Sequence, residues 1–400
     1  MIHRTRVAAI AVGSLALAIG GGCQPEPVDV GCQVSREVAL PDTIPLSLLP
    51  NVRVDRVGDG VVLIGADTDN GTVRWLAIDG NGVPGAEHAL ALPADTTAVH
   101  YAMAGVSAPG DRVIVGVLTS VAAGATELHF IAAPSDGTAA PLPGPAVITF
   151  AGAGTPVVTM GTTKSALVAG LGWLAPDTGL PMYALVDGQG GIVDQAMNAV
   201  DTDPAAGYEC LGFTAGEGEA TLRYLRRPTV ALALPTWVIA DYGPGTGLAT
   251  LALTVGQPGA DMIGCALTVP TTTAGGYAMV WQDYSGSWLS VYYGPPDNLV
   301  RSYPFASSTD FGGPDLQPPL RGLATFGADY SVVVERPRSV ELWRVDGGGT
   351  RRDGALVFPS LAGDVGTVSS VTRSGRLTST YADFTGAAAG RRLVVDAQCY

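Results

Sequence analysis

The residues with the most chemistry to offer are five cysteines: Cys23, Cys32, Cys210, Cys265 and Cys399. A cysteine can accept an acyl group, close a disulfide, bind a metal or attack a substrate, and its surroundings decide which. No metal site is expected. There is no HExxH motif and no cysteine pair at ligand spacing, and His88, His100 and His129 are too scattered for a zinc site. Nucleophilic catalysis is not expected either. The chain has no GxSxG elbow and no P-loop, and no two carboxylates stand out as an acid and a base. No cofactor is implied. Acylation and disulfide formation remain, and both belong to an exported protein.

The segment before Cys23 supports export. Arg4 and Arg6 precede the apolar run "VAAIAVGSLALAIGGG", which ends directly at Cys23. That run is shorter than the roughly 20 residues a membrane span needs. A basic start, a short apolar centre and small residues at the end make a secretory signal. Gly21, Gly22 and Cys23 resemble the lipobox of bacterial lipoproteins, although Gly20 stands where that pattern has leucine or another apolar residue. The resemblance implies a signal peptide over 1–22, cleavage by signal peptidase II and lipid, including palmitate, on Cys23. Residues 23–31 then form the lipidated cysteine and a short tether, and residues 32–400 the folded domain. The anchor would hold the chain to the bacterial cell envelope, at the outer membrane or cell surface rather than the inner membrane.

With Cys23 acylated, four cysteines remain, an even set for two disulfides outside the cytoplasm. The formal net charge is -14, and losing Arg4 and Arg6 takes it to -16. So acidic a chain lacks the basic footprint that nucleic acid demands. A monomer is expected. Charged residues make up only 14%, against 54 glycines and 29 prolines, and no amphipathic helix of useful length is visible. Short apolar strands separated by turns are the natural reading.

Those strands repeat. "WLAIDG" (75–80), "MYALVDG" (182–188), "WVIADYG" (237–243), "LWRVDG" (342–347) and "RLVVD" (392–396) each close an apolar run on an aspartate. Asp79, Asp187, Asp241, Asp346 and Asp396 are separated by 108, 54, 105 and 50 residues, a period near 53 with weaker copies at 128–137 and 288–294. A second apolar phrase precedes each one, with a further strand before it and another after. Four antiparallel strands per unit and seven units describe an all-β, seven-bladed β-propeller. A string of β-sandwich domains is the alternative.

The last unit lacks a fourth strand, and "CQVSREVALP" (32–41) reads like one. The N-terminal strand should therefore complete the C-terminal blade, with Cys32 paired to Cys399. On the loop-entropy model that closure contributes roughly 5 kcal/mol. Cys210 and Cys265 stand 55 residues apart, one repeat, each in the first strand of its unit, and should bridge neighbouring blades.

The loops joining second and third strands share one face with the connections between blades. They carry Asp67, Asp69, Trp173, Asp177, Arg226, Arg227, Asp283, Tyr284, Arg336 and Asp383, a candidate binding rim. "ADTDNG" (66–71) falls short of a calcium loop, because Gly71 is fifth from Asp67 rather than sixth. "SSTDFGG" (307–313) resembles the Asp-box of sialidase-like propellers, but Asp315 stands where that motif has an aromatic residue, and it reads as an ordinary turn. The functional expectation is a binding or scaffold module for an envelope protein or glycan. The alternatives are a carbohydrate-active hydrolase or lyase using Asp177, Asp283 or Asp383, and a purely structural envelope lipoprotein.

Overall fold

The computed structural model describes residues 31–107, 112–134, 142–150, 155–162, 168–193, 198–213, 221–227, 235–243, 247–254, 262–272, 275–294, 299–358, 364–365, 368–373, 376–384 and 391–399. The leader and Cys23 lie outside them. Among the described residues, no helix is long and apolar enough to cross a membrane.

Strand β1 (Gln33–Leu40) opens the domain. Blade one follows as β2 (Val52–Val57), β3 (Gly60–Asp67), β4 (Thr72–Ile78) and β5 (Pro84–Ala89). Blade two is β6 (Thr96–Ser107), β7 (Arg112–Val121), β8 (Thr126–Pro134) and β9 (Leu142–Phe150). Blade three is β10 (Val158–Thr162), β11 (Val168–Leu174), β12 (Pro181–Asp187) and the two-residue β13 (Asn198–Ala199). Blade four is β14 (Gly207–Phe213), β15 (Thr221–Arg227), β16 (Thr236–Gly243) and β17 (Gly247–Thr254). Blade five is β18 (Met262–Pro270), β19 (Tyr277–Asp283), β20 (Gly286–Tyr292) and β21 (Val300–Ser307). Blade six is β22 (Leu320–Phe326), β23 (Asp329–Arg336), β24 (Ser339–Val345) and β25 (Arg351–Val357). Blade seven comprises the short β26 (Asp364–Val365) with β27 (Ser369–Arg373), β28 (Arg376–Phe384) and β29 (Arg391–Gln398), and β1 adds to its outer edge.

Each blade is an antiparallel meander. The seven first strands β2, β6, β10, β14, β18, β22 and β27 touch one another in that order, and β27 returns to β2. The ring is closed, and the protein is a seven-bladed β-propeller. The units that look degenerate at 128–137 and 288–294 belong to complete blades two and five.

The packing explains the long apolar runs. Blades stack face to face, so second and third strands are covered on both sides and read as unbroken hydrophobic stretches rather than alternating ones. Seven apolar clusters result, one at each junction between blades. Trp75 and Trp237 are fully buried third-strand anchors of two of them. Fourth strands face solvent on one side and do alternate, as β9 shows. Near the axis the blades converge and small residues are required. A Cβ on Gly161 would lie 2.5 Å from the Phe213 ring of the next blade.

The recurring aspartate shapes the turn between third and fourth strands. Asp79 Oδ1 accepts from the N–H groups of Asn81 (2.9 Å) and Val83 (2.7 Å). Asp187 does the same with Gln189 and Gly191, and Asp346 with Gly348 and Thr350. One carboxylate thus holds two N–H groups that the turn would leave unpaired.

Blade seven has no such turn, because its fourth strand comes from the other end of the chain. There the same aspartate, Asp396, is only 1% exposed and has different work. Arg36 of β1 pairs with it at 2.7 Å and Arg56 of β2 at 3.0 Å, while Thr378 donates to it at 2.6 Å. Arg36 also donates to the carbonyl of Asp79 (2.8 Å). The cluster joins the N-terminal strand, the last blade and the first. Gln33 lies opposite Gln398 in the β1–β29 ladder, so Cys32 falls opposite Cys399, and the two form a disulfide.

Breaking a buried ion pair costs about 3–5 kcal/mol, because the partner charge is left uncompensated. Asp396→Ala should therefore lose about that much in denaturant titration, whereas Asp79→Ala, in an exposed turn, should lose about 1 kcal/mol. Equal losses would show that the Asp396 cluster has no special part in closure.

Candidate functional site: the mouth of the central channel

The inner strands leave a channel of about 870 Å³ along the axis, walled by residues of all seven first strands. Second-to-third-strand loops and the connections between blades lie around one end, and this end is the mouth. Arg53 and Arg321 each stand second in a first strand, β2 and β22, and so reach the mouth together. Tyr101 of β6 stands beside Arg53. Its hydroxyl donates to Pro156 O (3.0 Å) and accepts from Val158 N (2.7 Å), joining blades two and three. Burial pushes the Tyr101 phenol up to about 12, with the Val158 bond and the Arg53 charge acting the other way. Burial, and then the charge of Arg321, lower the Arg53 pKa.

Deeper in the wall, Arg223 donates to Phe213 O (3.2 Å) and to Ala266 O, tying blade four to blade five. Burial lowers it to about 10. The same junction carries the Cys210–Cys265 disulfide. Both cysteines sit in β-bulges, between Glu209 and Gly212 in β14 and between Ile263 and Leu267 in β18. Cys210 has φ 59°, the left-handed region that a non-glycine residue adopts at a cost. The bulges turn the side chains sideways across the gap between blades.

The structure distributes the candidate rim unevenly. Asp67 and Asp69 lie in the β3–β4 hairpin, where Asp67 accepts from the N–H (3.1 Å) and the side-chain amide (2.7 Å) of Asn70; the amide bond chiefly holds its pKa below the ordinary value. This is a polar turn. Among the described residues, no three His, Cys, Asp or Glu side chains gather as a metal site. Trp173 is not a rim residue. It is 4% exposed and meets Phe150 edge-on at 6.4 Å, because the end of β11 is still sandwiched between blades. Asp177 is exposed in its turn. Arg226 pairs with Asp201 (3.4 Å) and Asp203 (2.6 Å), and Arg227 with Glu209. Arg336 lies over Phe311 (5.1 Å) and Trp343 (5.5 Å). The stretch 307–313 forms a short 3₁₀ turn capped by Ser307 and Asp310. Asp383 lies in β28, and its side chain is outside the described set.

Asp283 is 6% exposed and committed. It accepts from Ser285 N (2.8 Å), Ser285 Oγ (2.6 Å) and Gly286 N (3.0 Å), which closes the β19–β20 turn. A carboxylate so fully occupied is poorly placed for general acid–base work. Tyr284 beside it is 58% exposed. Gln317 donates to Asp283 O (2.7 Å), which brings Leu316, 65% exposed, to the same lip. Gln317 Oε1 itself has no partner in the wall.

Among the histidines, His88 stacks on Trp75 at 5.2 Å and His129 lies 3.1 Å from Glu127. His100 Nε2 meets Ser120 Oγ at 2.8 Å. Among the described residues no carboxylate orients the other His100 nitrogen, so the pair lacks the third member of a nucleophilic triad. Sequence reasoning missed Arg53, Arg321 and Tyr101. The available signal was the shared second position of two arginines in "VRVDRV" and "LRGLATF".

No family model matches the chain, and no curated protein matches it in sequence. Solved structures do. A prolyl endopeptidase is similar with a TM-score of 0.50 and 12% identity, over 90% of this chain and 51% of that one. Prolyl oligopeptidase B from Galerina marginata is similar with a TM-score of 0.47 and 11% identity, over 86% and 50%. A protein of unknown function from Dyadobacter fermentans is similar with a TM-score of 0.48 and 9% identity, over 92% and 100%. The chain thus spans about half the length of the two peptidases. Similarity at this level concerns the fold alone.

The tyrosine shift has a consequence for alkaline stability. Unfolded, the Tyr101 phenol ionises near 10; folded, it keeps its proton to about 12. Its contribution is therefore complete below pH 10 and is lost as pH rises through 12, by at most about 1.4 kcal/mol per pH unit. Denaturant titrations across that window should show a steeper fall for the native chain than for Tyr101→Phe. Parallel curves would mean that Tyr101 titrates normally.

Proposed function

We propose that the chain is a lipid-anchored, extracytoplasmic binding or scaffold module, and that the partner, an envelope protein or glycan, sits at the channel mouth. The observation that carries this reading is the channel itself. It is large enough for a ligand, and its wall mixes apolar side chains with a few polar and charged ones, Arg53, Arg321 and Gln317 among them. A largely apolar cleft with a small number of placed polar groups suits recognition, and exposed Tyr284 and Leu316 stand on the loops at its end. Two disulfides are the chemistry of an oxidising compartment outside the cytoplasm. The lipid anchor rests on the lipobox-like stretch ending at Cys23. With the domain beginning at Cys32, the tether is short and keeps the propeller close to the membrane.

Two experiments test the two halves of the reading. Cells fed a fatty-acid analogue should label the native chain and not Cys23→Ser; label on the variant would exclude acylation at that residue. A photo-crosslinking residue placed at Tyr284 should capture an envelope component. The same residue at Val83, 59% exposed in the β4–β5 turn on the opposite face, should not. Equal yields from both positions would remove the channel mouth as the binding face.

A further inference from the structure

The channel wall carries four charged residues, Arg53, Asp55, Arg223 and Arg321, so arginine outnumbers aspartate in a protein of net charge -14. Three of the four are engaged. Arg321 Nε pairs with Glu335 at 2.7 Å. Arg223 is held by two carbonyls, and Asp55 accepts from Arg56 N at 2.7 Å. Arg53 is different. It keeps accessible surface inside the channel, and among the described residues it has no hydrogen-bond or ion-pair partner. Burial and the neighbouring Arg321 both act against its charge. A guanidinium that opens into the channel, beside a like charge and without a counter-ion among the described residues, is the setting an incoming anion relieves.

We propose that Arg53, supported by Arg321, binds the carboxylate of an acidic sugar that enters the channel mouth. A carboxylate matches the planar guanidinium fork of Arg53. The rest of the wall favours a sugar over a peptide. Gln317, Ser370 and Thr372 line the channel; Ser370 Oγ already meets Ser379 Oγ (2.9 Å) and Thr372 donates to Leu323 O (3.2 Å), which leaves both hydroxyls lone pairs to accept from a polyhydroxylated ring. A recess walled on all sides takes the end of a glycan chain more readily than an extended peptide, which pairs along a sheet edge. The inference deepens the binding-module reading and rests on it.

The test is calorimetric titration of the full chain with a glucuronate-terminated oligosaccharide, its neutral glucose counterpart and a short peptide with a free carboxyl terminus. The acidic sugar should bind about tenfold or more tightly than the neutral one. Arg53→Gln should bring the acidic sugar down to the neutral affinity. Its melting temperature should be unchanged or raised, since no internal bond is lost and repulsion with Arg321 is relieved. Equal affinity for the two sugars, unaltered binding in Arg53→Gln, preference for the peptide, or no binding of the acidic sugar would each overturn the proposal. The crosslinking at Tyr284 and Val83 does not involve Arg53, so the binding-face reading stands or falls separately.

Discussion

The ring depends on one junction, that between β1, β29 and β2, which joins the two ends of the folded domain. Asp396 holds Arg36 and Arg56 there, largely out of water, and the Cys32–Cys399 disulfide fixes the same ladder three residues beyond Asp396. A buried ion pair adds little against an apolar replacement, but losing one partner is costly. The cluster therefore acts less as a source of net stability than as a demand for one register. A β1 strand slipped by one residue would take Arg36 away from Asp396 and Cys32 away from Cys399. The ring is closed by a contact that tolerates few errors.

Closure in turn sets the shape of the channel. Seven blades packed face to face need continuous apolar second and third strands and small residues where the inner strands converge, as at Gly161 beneath Phe213. Space remains at the axis because seven inner strands enclose more volume than the side chains they send inward fill. Blades four and five are further joined there by a disulfide between two bulges and by Arg223. The wall of the channel is thus strongly cross-tied, and a ligand entering it would meet a site that is already formed.

The electrostatics of the two regions differ for a physical reason. Rim charges such as Arg226 and Arg336 are satisfied by carboxylates of an adjacent connection or by aromatic faces, so they leave little to offer a partner. Arg53 projects from an inner strand into space that no neighbour occupies. The exterior is acidic overall, while Arg53 inside the recess has no counter-ion among the described residues. Similarity to peptidase chains of twice the length adds the fold to this picture and no chemistry.

The sequence by itself determined the architecture. A period near 53, apolar runs too continuous for one-sided sheets and an even set of cysteines are local or additive properties, and they led to seven blades, closure by the N-terminal strand and both disulfides. The repeating aspartates were legible as a motif, but not as turn caps, nor was the change of duty at Asp396, because a cap and a buried counter-ion look alike in one dimension. The rim was legible as a set of loops. Whether each member was free depended on its neighbours, so Trp173 proved to be core and Asp283 a closed turn. Arg53 and Arg321 stand in blades one and six, far apart in the chain, and only the closed ring brings them to one opening. Proximity across a ring is set by the sum of many small blade rotations, which no single stretch of residues encodes; the tertiary structure alone decided where the channel's charge lies.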